Sequence, residues 1–229
     1  MNSLRKTAII VGILFIIATA AGLLSLTFSG PRNAPDYLIS LSANGVPVIM
    51  EGIFMLVMGF AVAGIGIAIY PVFKKYSEAL ALGYASFRIV EGTLFIISVV
   101  SLMSLLTLSR EFVQAGAPDA AYFQTLGALI NDEYYWVYHM GTISFGLAAP
   151  IFYYLLYKTK LVPRWLSVWG LIGVPLWLAV SLLIIFGLDP SSMTSTILYM
   201  PIAVNEMVLA VWLIVKGFNL SAVSYLSAE

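Results

Sequence analysis

Long runs of apolar residues, separated by short polar stretches, follow one another along the whole chain. A helix needs about 20 consecutive, mostly apolar residues to cross a hydrocarbon core about 30 Å thick. Segments of this length predict six membrane-spanning helices, over residues 7–27, 46–70, 79–108, 134–157, 165–188 and 195–215. The runs are too long and too continuous for the strands of a transmembrane barrel. We therefore predict an all-α fold, a six-transmembrane-helix bundle that forms a single integral membrane domain over residues 1–229.

Two of the loops between these spans are longer than tight turns. Residues 30–45 and 109–133 each contain a stretch that suits a short helix. In the second loop, apolar residues recur at helical spacing, namely Ala120, Phe123, Leu126, Leu129 and Ile130. We predict short interfacial helices in both outer loops, on the membrane surface or capping the bundle. A lid over a substrate is the alternative interpretation of the second loop.

Basic residues are unevenly distributed between the two sides of this predicted topology. Loops that face the cytoplasm are enriched in Lys and Arg. With a cytoplasmic N-terminus, the outer side carries only Arg32 and Arg110. The inner side then carries Arg5, Lys6, Lys74, Lys75, Lys158, Lys160, Arg164 and Lys216. The bias predicts that both termini are cytoplasmic, since an even number of spans returns the chain to the side where it began.

The composition excludes several classes of protein. Apolar residues make up 61% of the chain and charged residues 10%, whereas a soluble domain has about 25% charged residues. The net charge is zero, which gives a nucleic-acid partner no electrostatic support. There is no cysteine and only one histidine, so disulfides, thiolate sites and multi-histidine metal sites are excluded. No spacing motif specifies another metal site, and we expect neither a metal nor a cofactor.

Ionisable side chains interrupt the apolar spans at a few positions. A charge at the centre of a spanning helix costs about 2.5–3.5 kcal/mol on insertion scales, so such residues usually have a partner or a function. Counted along the helices, one group lies near mid-bilayer, and it consists of Arg88, Glu91, Asn205 and Glu206. A second group lies several Å nearer the outer surface, and it consists of Glu51 and His139. We take all of them as candidate ligand-binding residues.

The charges within the spans do not balance. Arg88 and Glu91 are three residues apart and therefore neighbours on one helix face, where they can pair. One arginine against three glutamates leaves two excess negative charges in a medium that penalises each of them. Protons, a cation or a cationic ligand would compensate for this excess. If the candidate residues face one another, they line a single polar pocket.

Each candidate also has a purely structural interpretation. Arg88 and Glu91 can form an intrahelical ion pair that only makes insertion tolerable. Glu51 can reach the headgroups, and a lone histidine such as His139 most often serves as a hydrogen-bonding side chain. The aromatic residues near the two ends of the fourth span are interpreted as interfacial anchors: Tyr134, Tyr135 and Trp136 outside, and Tyr153, Tyr154 and Tyr157 inside.

Three functions remain open on this reading of the residues. The leading hypothesis is a membrane protein that binds or transports a small or amphiphilic ligand in the polar pocket. The second is an intramembrane enzyme acting on a lipid or lipid-linked substrate, with the glutamates as acid and base; no residue can be assigned as catalytic. The third is a membrane scaffold with structural buried charges. Membrane lipids are expected partners in every case, and the oligomeric state stays open.

Four stretches of the chain resemble the bacterial membrane-protein family known as domain of unknown function 4386. They are residues 14–25, 87–92, 157–173 and 205–219. The most specific parts are Arg-x-x-Glu-Gly, Pro-Arg-Trp-Leu and Asn-Glu-Met. The resemblance implies a protein of about six helices in the bacterial cytoplasmic membrane. It implies no activity, but its recognisable stretches include Arg88, Glu91, Asn205 and Glu206.

Overall fold

The computed structural model of the protein describes residues 3–30, 32, 34–116 and 120–219. These residues form helices and connecting turns, with no strand among them. The helices are α1 (Ser3–Phe28), α2 (Tyr37–Ala43), α3 (Gly45–Phe73), α4 (Glu78–Gln114), α5 (Ala120–Thr159), α6 (Arg164–Ile185) and α7 (Met193–Val215).

All the helices except α2 are long and apolar enough to cross a membrane, which makes six candidate spans within the described residues. Large apolar side chains are exposed all along them, among others Leu26, Phe60, Val100, Leu183 and Val211. Helices that are apolar on every side belong either in a large core or in lipid. The predicted all-α fold is confirmed, and the protein is a multi-pass membrane protein.

The spanning helices form a closed ring. Around it, α1 packs on α3, α3 on α4, α4 on α5, α5 on α6, α6 on α7, and α7 again on α1. The guanidinium of Arg5 donates hydrogen bonds to the carbonyls of Leu213 and Ile214, 3.2 and 2.6 Å away, which joins the start of α1 to the end of α7. We call this end of the bundle the termini face and the opposite end the α2 face.

The short helix α2 lies against α4 and α3 at the end that bears its name. The Ser109 hydroxyl of α4 donates to the carbonyl of Leu38. The Tyr37 hydroxyl donates to the carbonyl of Gln124, 3.3 Å away. At Gly127 a Cβ atom would overlap the Tyr37 hydroxyl, so the Tyr37 side chain fits here because this residue has no side chain of its own. The interfacial helix predicted in the first outer loop is therefore present, and it caps α4 and α5.

The second outer loop differs from its prediction. Its described residues form no separate short helix, because α4 continues to Gln114 and α5 already begins at Ala120. The helical spacing that suggested a surface helix belongs to the first turns of α5. The rings of Phe112 and Phe123, with centroids 5.4 Å apart, hold the two extensions together. The fifth span also ends earlier than predicted, at Ile185, because Gly187 turns the chain with a φ of 98°.

Two apolar clusters fill the ring, one above the other. The cluster at the termini face is aromatic, and the Phe152 ring lies 5.1 Å from that of Tyr84 and 5.8 Å from that of Phe15. The cluster at the α2 face comes from α1 to α5 and contains Leu38, Leu102 and Phe95 but no residue of α6 or α7. On α4, Arg88 and Glu91 come between Tyr84 of the first cluster and Phe95 of the second.

Candidate functional site

Arg88 and Glu91 form an ion pair on α4. Arg88 Nη1 lies 3.0 Å from Glu91 Oε2, and the two residues are 2% and 4% exposed. Their three-residue spacing places both side chains on the inward face of the helix. The expectation that Arg88 would be paired rather than exposed to lipid is confirmed.

Neighbouring helices hold the Arg88 side chain in place. Its Nε donates to the carbonyl of Val62 on α3, 3.3 Å away. The guanidinium carbon lies 5.5 Å from the ring centroid of Phe145 on α5, within cation–π range. At Gly66 a Cβ atom would lie 2.8 Å from the Arg88 Cβ, so the absence of a side chain there lets α3 and α4 approach closely. The arginine is therefore bound to three helices.

Glu206 on α7 completes a charged group with this pair. It is half-buried and lies near enough to Arg88 and Glu91 to interact electrostatically with both. Tyr84 and Tyr153 are also within its electrostatic range. Within the described part of the chain, Glu206 makes no hydrogen bond or ion pair. One guanidinium therefore serves two carboxyl groups.

Buried polar atoms without partners occur on α7 and on the helices that pack near it. The Asn205 amide donates through Nδ2 to the carbonyl of Leu166 on α6, 3.1 Å away. Its Oδ1, the Tyr153 hydroxyl and the Ser167 hydroxyl are buried and find no hydrogen-bond partner among the described residues. A Cβ atom at Gly170 would overlap the Tyr153 ring, so that ring packs directly on the α6 backbone. These atoms come from α5, α6 and α7, and of the residues that carry them Tyr153 is within electrostatic range of Glu206.

The interpretation of Tyr153 as an interfacial anchor is wrong. The residue is 1% exposed and its ring contacts that of Phe152, with centroids 5.1 Å apart. Its neighbour Tyr154 is exposed, as an anchor should be. Because the run of tyrosines contains both inward and outward positions, composition alone did not distinguish them. We call the following set the middle cluster: Tyr84, Arg88, Glu91, Tyr153, Ser167, Asn205 and Glu206.

Glu51 lies in a second, separate cluster. Its Oε2 pairs with the guanidinium of Arg32, and its Oε1 accepts a hydrogen bond from the Tyr134 hydroxyl, 2.9 Å away. The Arg32 guanidinium also lies over the Tyr134 ring, 4.6 Å from its centroid. We call Arg32, Glu51 and Tyr134 the α2-face cluster. Arg32 and Tyr134 are buried, although their positions near a predicted span end suggested exposed residues.

The expectation of one arginine for three buried glutamates is therefore wrong. Arg32, assigned from the sequence to an outer loop, folds against the bundle and compensates for Glu51. Burial on its own lowers the pKa of Arg32, but the Glu51 carboxylate more than offsets this and raises the pKa above its ordinary value. The one available sequence signal is that Arg32 is the only basic residue of its loop and lies close in the chain to the span that carries Glu51.

His139 takes part in a hydrogen-bonded contact between α5 and α6. Its Nε2 donates to the carbonyl of Ser181, 2.7 Å away, and Nδ1 lies 3.3 Å from the Thr142 hydroxyl. The indole of Trp177 donates to the Thr142 carbonyl, 3.0 Å away, in the same contact. Of the six predicted site residues, Arg88, Glu91 and Glu206 thus come together with Asn205 beside them. Glu51 and His139 lie in other environments.

The carboxyl groups do not form an obvious metal centre. Within the described ranges, no three His, Cys, Asp or Glu residues are grouped closely enough to hold a metal ion. What the middle cluster offers instead is charge and neutral hydrogen-bonding groups: one guanidinium, two carboxyls, two phenols, a hydroxyl and an amide. Such a set can bind a cation, bind a polar ligand or exchange protons.

Comparison with known proteins gives one match. No curated protein and no solved structure matches the chain. The sequence profile described as "Domain of unknown function (DUF4386)" matches residues 10–217, which include the whole middle cluster. The match covers most of the chain and agrees with the resemblance noted from its motifs. The chain therefore belongs to the DUF4386 family of multi-pass membrane proteins.

Proposed function

We propose that the protein binds a small or amphiphilic cation at the middle cluster, and that it does so as part of transport across the bacterial cytoplasmic membrane. The observation that carries this proposal is the charge ratio: among the described residues, Arg88 is the one cation within electrostatic range of two carboxyl groups, Glu91 and Glu206. In a medium of low dielectric, an uncompensated carboxylate is costly. A bound cation removes that cost.

The neutral groups around Glu206 suit the same ligand. An ammonium group donates up to three hydrogen bonds and accepts none. The Asn205 Oδ1 is a pure acceptor, and the hydroxyls of Tyr153 and Ser167 have free acceptor lone pairs. Buried polar atoms are nearly always hydrogen-bonded in native proteins, and a bound ligand or water is the usual reason where protein partners are lacking.

The low burial of α6 and α7 next to the cluster supports a route for a ligand. Only 28% of the apolar stretch in each of them is buried, against 33% in α1, 50% in α3 and α4 and 61% in α5. Both helices contain an internal proline, Pro175 and Pro201. A proline within a helix removes one backbone hydrogen bond and weakens the helix locally. We infer that α6 and α7 are the moving elements if the ligand crosses the membrane.

The test uses the purified protein in lipid nanodiscs, with sodium ions and phenethylammonium, a small amphiphilic ammonium ion, as probes. A ligand that binds only the folded state stabilises that state, by about 2.7 kcal/mol when its concentration is about 100 times its dissociation constant. The melting temperature rises accordingly. We expect stabilisation of the wild type by at least one probe and its loss in Glu206→Gln. Glu111→Gln is the matched control, because Glu111 is an exposed carboxylate of α4. Equal stabilisation of both variants, or no stabilisation of the wild type, contradicts the proposal and favours the scaffold alternative.

An intramembrane enzyme is the second candidate. Two carboxyl groups within electrostatic range of each other, Glu91 and Glu206, are the arrangement that a general acid and a general base require. This candidate predicts that the purified protein converts a membrane lipid or lipid-linked substrate, which mass spectrometry of the incubated lipids would detect. Absence of any product that depends on Glu91 and Glu206 would exclude it.

We further propose that the termini face is cytoplasmic, on the basis of the basic residues at that end. The chain contains no cysteine, so single-cysteine variants label without background. Ser191→Cys, between α6 and α7 at the α2 face, should react with an impermeant thiol reagent added to whole cells. Lys75→Cys, between α3 and α4 at the termini face, should react only after lysis. The reverse pattern would invert the orientation.

A further inference from the structure

A cleft of about 500 Å³ opens at the termini face, where the loop between α5 and α6 meets the end of α7. Its volume falls within the range of about 300–1,000 Å³ that is typical of small-molecule sites. Four of its side chains carry the argument: Lys160, Arg164, Trp212 and Lys216. We call them the basic cleft. It lies apart from the middle cluster and shares no residue with it.

The backbone defines the shape of the cleft. Lys160 has a φ of 54°, a left-handed conformation that is uncommon for residues other than glycine. Gly217, with a φ of 76°, turns the chain away from the axis of α7. The Asn219 N–H then donates to the carbonyl of Leu161, 2.8 Å away, and ties the segment after α7 to the α5–α6 loop. The walls of the cleft are therefore joined to each other.

The rim of the cleft has positive charges that form no ion pair with an acidic side chain of the described residues. Lys160, Arg164 and Lys216 are exposed. The two ion pairs formed by the described residues lie in the α2-face and middle clusters, and neither includes a residue of the cleft. Three cations that converge from the α5–α6 loop, α6 and α7 favour an anion between them.

The helix ends at the cleft add to this positive potential. The N-terminus of α6 carries the positive end of its dipole, and its cap, Pro163, supplies no side-chain hydrogen bond. The C-terminus of α7 would contribute the opposite sign, but Arg5 donates to its last carbonyls, including that of Val215, 3.1 Å away. Arg5 thus offsets the negative end of the α7 dipole at the cleft.

The position of the cleft relative to the membrane indicates the kind of anion. Trp165 and Trp169 follow Arg164 in the first turns of α6, with ring centroids 6.4 Å apart. Tryptophan at the end of a spanning helix marks the depth of the lipid headgroups. Val211 and Val215 continue from the cleft along the exposed apolar side of α7, where acyl chains would lie. If the phosphate of a phospholipid occupied the cleft, its acyl chains would therefore lie along this apolar side of α7.

We propose that the basic cleft binds the headgroup phosphate of an anionic phospholipid. The phosphate accepts hydrogen bonds from Lys160, Arg164 and Lys216, and the half-buried Trp212 indole lies beside the glycerol region. Basic pockets between spanning helices on the cytoplasmic side are suited to such headgroups. The proposal does not depend on the ligand of the middle cluster.

Native mass spectrometry of the full chain in detergent tests this directly, with phosphatidylglycerol, phosphatidylcholine and inorganic phosphate as probes. We expect phosphatidylglycerol to bind the wild type with at least tenfold higher affinity than phosphatidylcholine. In Lys160→Gln/Lys216→Gln, its affinity should fall about fivefold for each charge removed. The matched control is Lys74→Gln/Lys75→Gln, which removes two exposed charges from the same face but outside the cleft, and it should leave the affinity unchanged.

Each other outcome overturns the assignment. An equal loss in the two double variants would mean diffuse attraction to a basic surface. Competition by inorganic phosphate as strong as that by the lipid would mean a site for free phosphate. If the wild type does not discriminate between the two lipids, the cleft is not a headgroup site. The comparison of lipids on the wild type needs no variant, and circular dichroism checks that the exposed-site variants fold.

Discussion

The two buried ionic clusters of this protein differ in how completely they are paired. In the α2-face cluster, Arg32 takes one oxygen of Glu51 and the Tyr134 hydroxyl takes the other. In the middle cluster, Arg88 pairs with Glu91, while Glu206 has no hydrogen bond or ion pair with any described residue. The first cluster has one charge of each sign and the second has an excess carboxyl. The two clusters therefore differ in how much charge they leave uncompensated.

Their surroundings differ in the same sense. The α2-face cluster lies beside the apolar cluster built by α1 to α5, with α2 packed over α3 and α4. The middle cluster faces α6 and α7, which bury the smaller share of their apolar stretches. A cluster whose charges balance suits a structural role, although Arg32 Nε has no hydrogen-bond partner among the described residues. A cluster with an excess carboxyl beside helices that are less buried suits a ligand.

Removal of Arg88 should have the largest effect on stability. In Arg88→Ala, Glu91 and Glu206 lose the one guanidinium that serves both, and breaking a buried ion pair in this way costs about 3–5 kcal/mol. Unfolding of the purified protein by sodium dodecyl sulfate measures the change in free energy. Arg110→Ala on the same helix is the control, because Arg110 is exposed and should cost at most about 0.5 kcal/mol. Similar stabilities of the two variants would contradict the assigned role.

Replacement of both ion-pair partners by apolar residues should change the free energy of unfolding by different amounts in the two clusters. Arg32→Met/Glu51→Leu removes a complete pair, and such replacements are often close to neutral, so we expect a cost of at most about 1–2 kcal/mol, including the unpaired Tyr134 hydroxyl. Arg88→Met/Glu91→Leu leaves Glu206 without a cation and should cost about 3 kcal/mol. The same unfolding assay compares them. Equal costs would show that Glu206 does not depend on Arg88.

Gly170→Ala should loosen the middle cluster without changing any charge. The new methyl group would overlap the Tyr153 ring, and overpacking of this kind costs about 1–3 kcal/mol. Gly83→Ala on α4 is the control, since its Cβ would lie 3.6 Å from Ile151 Cδ1, an ordinary contact. Alanine is the better helix former by about 1 kcal/mol, so the control should be neutral or stabilising. Melting temperatures in detergent test both, and a neutral Gly170→Ala would contradict the packing.

The smallest expected effect concerns the α2-face cluster. Its contribution to the free energy of unfolding should hardly depend on pH. Glu51 raises the pKa of Arg32 in the folded state, so the stability that Arg32 contributes is fully present below the ordinary pKa of an unfolded arginine and is lost only at higher pH. The difference in stability between the wild type and Arg32→Met/Glu51→Leu should therefore stay constant from about pH 7 to pH 9. A change above about 0.5 kcal/mol in that window would mean that another group controls the pair.

The middle cluster was predictable in part because the two residues of its ion pair lie close together in the sequence. Arg88 and Glu91 are three residues apart on one helix, and helical geometry alone brings them together. Glu206 was identifiable as a carboxyl in an apolar span, and its height in the bilayer followed from counting residues. That it lies near Arg88 and Tyr153 was not predictable. Helices that are apolar on every side give no periodicity that defines which side faces inward.

The sequence by itself determined that this is a helical membrane protein with six spans, because the length and polarity of a spanning segment are local properties of the chain. Only the tertiary structure decided which charges meet. The pairing of Arg32 with Glu51 and the closure of α1 on α7 join residues that are distant along the chain. Such contacts depend on the rotation and order of the helices in the ring. That arrangement results from the packing of all the helices together, and no single segment encodes it.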